Sequence, residues 1–188
     1  MKKKIAILGS TGSIGKSTLD IIRKDKKNFD VVFLSANNNY KKLIQQAKEF
    51  NVKNVLIKNT IFYERTKKSL KNCKTKVYSG NISITNIISK KLDYTMAAIV
   101  GVAGLQPTID AIKISKTVAL ANKESIICGW EILSKLIKKY KTKILPVDSE
   151  HFSIMELTKD ISDEEVEEII ITASGGPFLN IPQNKLNY

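Results

Sequence analysis

An α/β fold with a doubly wound parallel sheet is what the sequence predicts. Short apolar runs of buried-strand length alternate along most of the chain with stretches that carry apolar residues every three or four positions. A glycine cluster directly after the first apolar run adds the strand-to-helix turn that such folds place at their start.

The expected strands are Lys4–Leu8, Val31–Ser35, Asn54–Ile57, Tyr94–Val100, Thr117–Ala121 and Lys143–Val147, each an apolar run too short for a buried helix. The helices expected between them are Ile14–Arg23, Tyr40–Phe50, Leu105–Ile114 and Glu124–Lys138, which show the helical interval. Phe62–Ser89 has no clear period, and Val77–Ser79 is its one candidate strand. Thr158–Glu168 then holds six carboxylates against one lysine, after 157 residues with 29 basic and 12 acidic side chains. That acidic stretch reads as a solvated helix start or loop, leading to an expected strand at Val166–Thr172. The division expected is a Rossmann-like domain over residues 1–145 and the start of an α+β domain over 146–188.

Composition narrows the functional classes. Cys73 and Cys128 have no metal-ligand spacing and make no disulfide framework, which fits a reducing cytoplasm. No run reaches the roughly 20 apolar residues of a membrane span, and no signal-peptide core follows Met1. The net charge of +13 invites a polyanionic partner. Only Arg23 and Arg65 carry the guanidinium fork that base reading favours, however, and the lysines are dispersed. Solvated helix faces are the favoured reading, with no nucleic acid and no membrane as partners.

Chemistry concentrates in five motifs. Gly9-Ser-Thr-Gly12-Ser-Ile-Gly15 lies between strand and helix, where glycines admit the backbone close to a pyrophosphate held on free N–H groups. Its spacing departs from the G-x-G-x-x-G fingerprint, and an ordinary turn is the alternative. At the end of the second strand, Ser35-Ala-Asn37-Asn38-Asn39 has no acid to repel a 2′-phosphate. Lys41 or Lys42 is close enough in sequence to attract one, so NADP is favoured over NAD; a plain asparagine turn is the alternative.

Asn122-Lys123-Glu124 ends another strand, where a lysine can hold a phosphate or substrate oxygen and its neighbours can fix hydroxyls; helix capping is the alternative. Asp148-Ser149-Glu150 follows the last strand, and its two carboxylates can turn toward one hard cation, magnesium or manganese. The alternative is an acidic first helical turn. His151, the only histidine, excludes sites that need two imidazoles, and a supporting or structural role is expected for it. Ser174-Gly-Gly-Pro-Phe178 offers a hydroxyl and N–H groups to a phosphate, or is simply a tight turn.

In this order GSTGSIG, ALANKES, LPVDSEH and SGGPF, together with AAIVGVAGLQPT from Ala97 to Thr108, resemble the 1-deoxy-D-xylulose 5-phosphate reductoisomerase family from Lys4 to about Phe178. The resemblance implies an enzyme of non-mevalonate isoprenoid biosynthesis that rearranges the ketose phosphate and reduces the product to 2-C-methyl-D-erythritol 4-phosphate. It implies NADPH as cofactor, a divalent cation (Mg²⁺ or Mn²⁺), a small sugar phosphate as substrate, and a homodimer when full-length. Carried over by motif, Thr11, Gly12, Ser13, Ile14, Asn37, Asn38, Asn39, Asn122 and Glu124 contact NADPH. Lys123, Ser149, Glu150 and Ser174 bind substrate, Asp148 and Glu150 bind metal, and Lys123, Asp148 and Glu150 form the catalytic set.

Where this chain has Asn37 and Asn38, family members often have glycine and a basic residue. Members also continue with a histidine- and tryptophan-bearing loop, a phosphate site, a third metal-binding glutamate and a helical domain, none of them within these 188 residues. The expectation is that the complete protein is the enzyme, and that this chain binds dinucleotide at best and turns over poorly or not at all. The rival classes are another NADP-dependent Rossmann oxidoreductase, which has no use for the Asp148/Glu150 pair, and a basic nucleic-acid-binding module.

Overall fold

A computed structural model of the chain describes residues 2–89, 91–170 and 181–182. Two compact units divide it, Met1–Asp148 and Ser149–Tyr188. The first holds β1 (Lys3–Leu8), α1 (Ser13–Lys24), β2 (Phe29–Ala36), α2 (Tyr40–Glu49), β3 (Asn54–Ile57), α3 (Tyr63–Ser69), β4 (Lys76–Ser79), β5 (Leu92–Ala97), α4 (Leu105–Ile114), β6 (Ser115–Leu120), α5 (Lys123–Tyr140) and β7 (Lys143–Pro146). All pairings are parallel and the sheet order is β4-β3-β2-β1-β5-β6-β7. After β4 the chain returns to the other side of β1, so the winding reverses between β1 and β5. A crevice opens at such a switch point, at the carboxyl ends of the strands.

Burial explains the layers. Along β1, Ile5 and Ile7 enter one core cluster while Ala6 and Leu8 enter the other, the alternation of a strand covered on both faces. The first cluster is completed by Leu19 and Ile22 of α1 and Leu43 and Ala47 of α2; the second by Ala111 and Ile112 of α4 and Leu133 of α5. In β2 the alternation breaks: Val32 and Phe33 both join the second cluster, between Val31 and Leu34 of the first. The β1–β2 register slips there, with Ile5 opposite Val31 but Ala6 opposite Phe33, so one extra β2 residue is accommodated as a bulge.

The stretch without a clear period contains α3, the edge strand β4 and a 3₁₀ turn at Ile84–Asn86. β5 stops at Ala97, three residues before the expected end, because the apolar residues after it line a cavity instead of the sheet. In the second unit, α6 (Ser149–Leu157) and a 3₁₀ turn at Asp163–Glu165 are present. The expected strand at Val166–Thr172 is not formed over its described part, Val166–Ile170, whose residues carry no strand hydrogen bonding and are mostly exposed; Ile171 and Thr172 lie outside the described residues. Among the described residues no helix is long and apolar enough to cross a membrane.

Asp93 ties three strands at the amino end of the sheet. Its Oδ2 accepts from the Lys4 backbone N–H (2.9 Å) and its Oδ1 from Lys116 Nζ (2.7 Å). The Lys116 ammonium first, then the Lys4 amide, holds this carboxyl below the usual carboxylate range. Ionised Asp93 therefore stabilises the fold fully above the unfolded-chain value of about 3.9, and the contribution is lost as pH falls through the lowered folded value. Urea midpoints should drop more between about pH 6 and about pH 3 for the native chain than for Asp93→Asn. Equal drops would show that folding does not favour the ionised carboxylate.

Candidate functional site

Gly9 turns the chain out of β1 with φ +79°, a conformation side-chain-bearing residues avoid, and a Cβ there would stand 2.7 Å from the Ala98 carbonyl oxygen. At Gly15 a Cβ would meet Gly9 O at 2.5 Å and Ser10 Cα at 2.6 Å, so glycine lets the first turn of α1 lie directly on the turn below it. Gly12 is the N-cap, with no side chain satisfying the helix N–H groups and no acid in the first turn. The amides at the start of α1 thus have no side-chain cap and no acid beside them, the arrangement that suits an anion.

A buried polar cluster fixes this turn. Ser10 Oγ donates to Gln46 Oε1 (2.8 Å), Gln46 Nε2 donates back to Ser10 O (2.9 Å), and Gly9 N–H donates to Ser35 Oγ (3.1 Å). The next strand and helix in the chain, β2 through Ser35 and α2 through Gln46, therefore hold the backbone of the turn in one place.

A cavity of about 580 Å³ opens at the switch point. Gly9, Thr11 and Gly12 form one wall, Ser35–Asn37 and Lys58 the wall at the ends of β2 and β3, and Ala98–Val100 with Gln106, Pro107 and Asp110 the opposite side. The glycine turn and Asn37 are thus brought together on one cavity. Asn38 and Asn39 are used within the loop: Asn38 Oδ1 accepts from Asn59 Nδ2 (2.9 Å), and Asn39 Oδ1 accepts from Lys42 N–H (3.1 Å) as the N-cap of α2. Ser13 and Ile14 are exposed in the first turn of α1.

Asn122, Lys123 and Glu124 do not line this cavity but stand at the end of β6 and the start of α5. Asn122 is buried; its Oδ1 accepts from Ser125 N–H (2.6 Å), and its Nδ2 donates to Gly101 O (2.8 Å) and to Ile99 O. Lys123 is exposed and Glu124 half-buried. Asp148 follows β7, whose next residue Val147 donates its N–H to Leu120 O (3.0 Å), so it lies at the same edge of the sheet as Asn122. In the second unit, Ser149, Glu150 and His151 open α6, where Ser149 Oγ donates to Glu150 Oε2 (3.1 Å). Ser174 lies outside the described residues. Among the described residues no group of three or more His, Cys, Asp or Glu side chains converges on a metal position.

Lys58 and Asp110 line the cavity without having been singled out in the sequence, as do Ala98, Ile99 and Gln106, which belong to the AAIVGVAGLQPT motif but were given no role of their own. A signal existed for Lys58, the first residue after an apolar strand and so at the carboxyl edge of the sheet. Gln106 and Asp110 face the cavity one helical turn apart, a pairing visible only once α4 is placed.

A doubly wound sheet with a glycine turn and an uncapped helix at its switch point is the architecture of a nucleotide-cofactor domain. Comparison with known proteins gives the particular family. The model of 1-deoxy-D-xylulose 5-phosphate reductoisomerase matches residues 5–129, and the model of that enzyme's C-terminal domain matches residues 144–188. The reductoisomerase of Pelagibacter ubique is 55% identical over 185 residues, covering 97% of this chain and 48% of the relative. That of Wolbachia pipientis from Culex pipiens is 45% identical, covering 98% and 47%. Among solved structures, the Zymomonas mobilis reductoisomerase in complex with NADPH superposes with a TM-score of 0.88 at 39% identity, over 96% of this chain and 48% of that one. A reductoisomerase in complex with NADPH, fosmidomycin and magnesium superposes with a TM-score of 0.74 at 36% identity, over 79% and 37%. The chain belongs to the 1-deoxy-D-xylulose 5-phosphate reductoisomerase family and spans about half the length of the curated relatives it matches.

Proposed function

We propose that the protein carrying this chain is a cytoplasmic, homodimeric reductoisomerase that converts 1-deoxy-D-xylulose 5-phosphate to 2-C-methyl-D-erythritol 4-phosphate with NADPH and a divalent cation. The observation that carries this is the switch-point cavity walled by Gly9, Thr11 and Gly12, in a chain whose relatives bear that name and whose structural neighbours hold NADPH and magnesium.

In this reading the amides of Ser13 and Ile14, with Thr11 and Gly12, receive the cofactor pyrophosphate at the start of α1. Asn37 on the cavity wall meets its ribose at the end of β2, and Asn38 and Asn39 contact the cofactor from the loop that their own side-chain hydrogen bonds hold in shape. Asn122 holds the Ile99–Gly101 loop against the start of α5, and Glu124 beside it faces the cofactor. Lys123, Ser149, Glu150 and Ser174 bind the substrate, with Lys123 supplying positive charge. Asp148 and Glu150, two hard carboxylate donors, fit Mg²⁺ or Mn²⁺, with further oxygens needed to reach about six ligands. When bound, NADPH supplies the hydride and the cation polarises substrate oxygens.

A fluorescence titration of the chain with NADPH, NADH and duplex DNA at two salt concentrations tests the cofactor half. Saturable binding with NADPH preferred is expected; a folded chain that binds DNA but no nicotinamide cofactor would sink the reading. For the full-length protein, substrate-dependent NADPH oxidation should require added Mg²⁺ or Mn²⁺. Oxidation indifferent to chelation would point to another NADP-dependent oxidoreductase.

A further inference from the structure

We propose that Lys58 receives the 2′-phosphate of NADPH and so sets the preference for NADPH over NADH, an assignment that rests on the dinucleotide reading of the switch-point cavity. The register of the sheet places it there. β2 and β3 run parallel with Ala36 opposite Ile57, so the residue that leaves β3 stands beside the residue that leaves β2. Lys58 N–H donates to Ala36 O (2.8 Å), and Asn59 N–H to Asn37 O (3.1 Å). The Asn38–Asn59 side-chain hydrogen bond and the stacked rings of Tyr40 and Phe62, 4.8 Å apart, hold the two loops together further along.

Lys58 and Asn37 both line the cavity. The ribose of a bound dinucleotide sits at the end of the second strand, and a 2′-phosphate on it needs a cation within reach. Lys58 is exposed and pairs with no carboxylate among the described residues. No acid occurs in Ser35–Asn39 or Lys58–Phe62. Among the described residues the one carboxylate lining the cavity, Asp110 on α4, accepts from Gln106 Nε2 (3.0 Å) and has Lys113 Nζ at 3.8 Å. The lysines nearer in sequence are placed differently. Neither Lys41 nor Lys42 lines the cavity, and Lys42 Nζ donates to Gln45 Oε1 (3.0 Å). Asn39 is committed to capping α2. Lys58 is thus the cation that the fold, as opposed to the sequence, brings to this spot.

The test compares the chain with Lys58→Ala, Lys58→Arg and Lys41→Ala, each titrated with NADPH and NADH, and with adenosine 2′,5′-bisphosphate against AMP. A charge-assisted contact to phosphate predicts that Lys58→Ala lowers affinity for NADPH and the bisphosphate about 10- to 100-fold, with NADH and AMP unchanged within about twofold. Lys58→Arg should retain most of the preference, and the NADPH affinity of Lys58→Ala should depend less on salt. The proposal is overturned if Lys58→Ala keeps the native preference, if it weakens NADPH and NADH equally, or if Lys41→Ala carries the selective loss. A native chain that binds NADH as tightly as NADPH overturns it while leaving the dinucleotide site standing. A native chain that binds neither cofactor overturns both.

Discussion

Gly9→Ala is expected to lower stability by about 2–5 kcal/mol and to weaken NADPH binding by at least about tenfold. Two costs add. An L-residue held near φ +79° loses roughly 1–2 kcal/mol, and the new methyl would press on the Ala98 carbonyl at 2.7 Å, where the neighbour is backbone and cannot rotate away. Relief requires the turn to move off the end of β5, which carries the amides of α1 away from the cavity. At roughly 2–4 °C per kcal/mol for a chain of this size, the melting temperature should fall by about 4–20 °C. Gly12→Ala separates the two roles. Its φ is −74°, its nearest neighbour would be Gly9 O at 3.4 Å, and it is exposed on the cavity wall. That variant should stay within about 1 kcal/mol of the native chain yet lose cofactor affinity, because under the proposed function its methyl would occupy the place of a phosphate. Melting curves and NADPH titrations of both variants decide it. A Gly9→Ala chain with native melting temperature would mean that the turn does not make this close approach.

The layers were legible in the sequence because both faces of a parallel sheet are buried, which makes each strand a continuous apolar run. The same property hid the β2 bulge: with Val31 to Ala36 all buried, no polar residue marks where the alternation slips. β4 was faint because it is a four-residue edge strand with no fully buried side chain. The apolar run that begins at Tyr94 overstated β5 for a different reason: Ile99 and Val100 are apolar as cavity lining, and Val100 is 83% exposed. At the site, the glycine turn could be read because its demand is local, a single backbone conformation. The use of the three asparagines could not, since Asn38 is held by Asn59 from 21 residues away. Proximity along the chain pointed to Lys41 and Lys42 for the phosphate charge. Parallel pairing also brings the residue after β3 alongside the residue after β2, a relation that exists only once Ala36 is opposite Ile57 and that the Lys58 proposal uses.

Asn122→Ala should destabilise the first unit by about 2–4 kcal/mol, more than a helix cap alone is worth. The cap accounts for about 1 kcal/mol, through the Ser125 N–H that Oδ1 accepts at 2.6 Å. The remainder comes from Nδ2, which donates to Gly101 O at 2.8 Å and to Ile99 O. Removing it leaves carbonyls beside a fully buried position short of a donor, at roughly 1–3 kcal/mol. Asn122→Ser keeps a capping oxygen but no amide donor, and should recover only about 1 kcal/mol. Asn122→Asp keeps the cap as well but turns a carboxylate toward two carbonyl oxygens, and should be as harmful as alanine or worse. This ordering distinguishes a residue that clamps two loops from one that merely starts a helix, for which serine and aspartate would both restore native stability. Under the proposed function the clamp would also bear on activity, because Lys123 and Glu124 take their positions from the same turn. Hydrogen exchange at the Ser125 amide should speed up in Asn122→Ala and stay slow in Asn122→Ser, while melting temperature falls in both. Should serine restore the full melting temperature, Asn122 is a cap and nothing more, and the Ile99–Gly101 loop must be held from elsewhere.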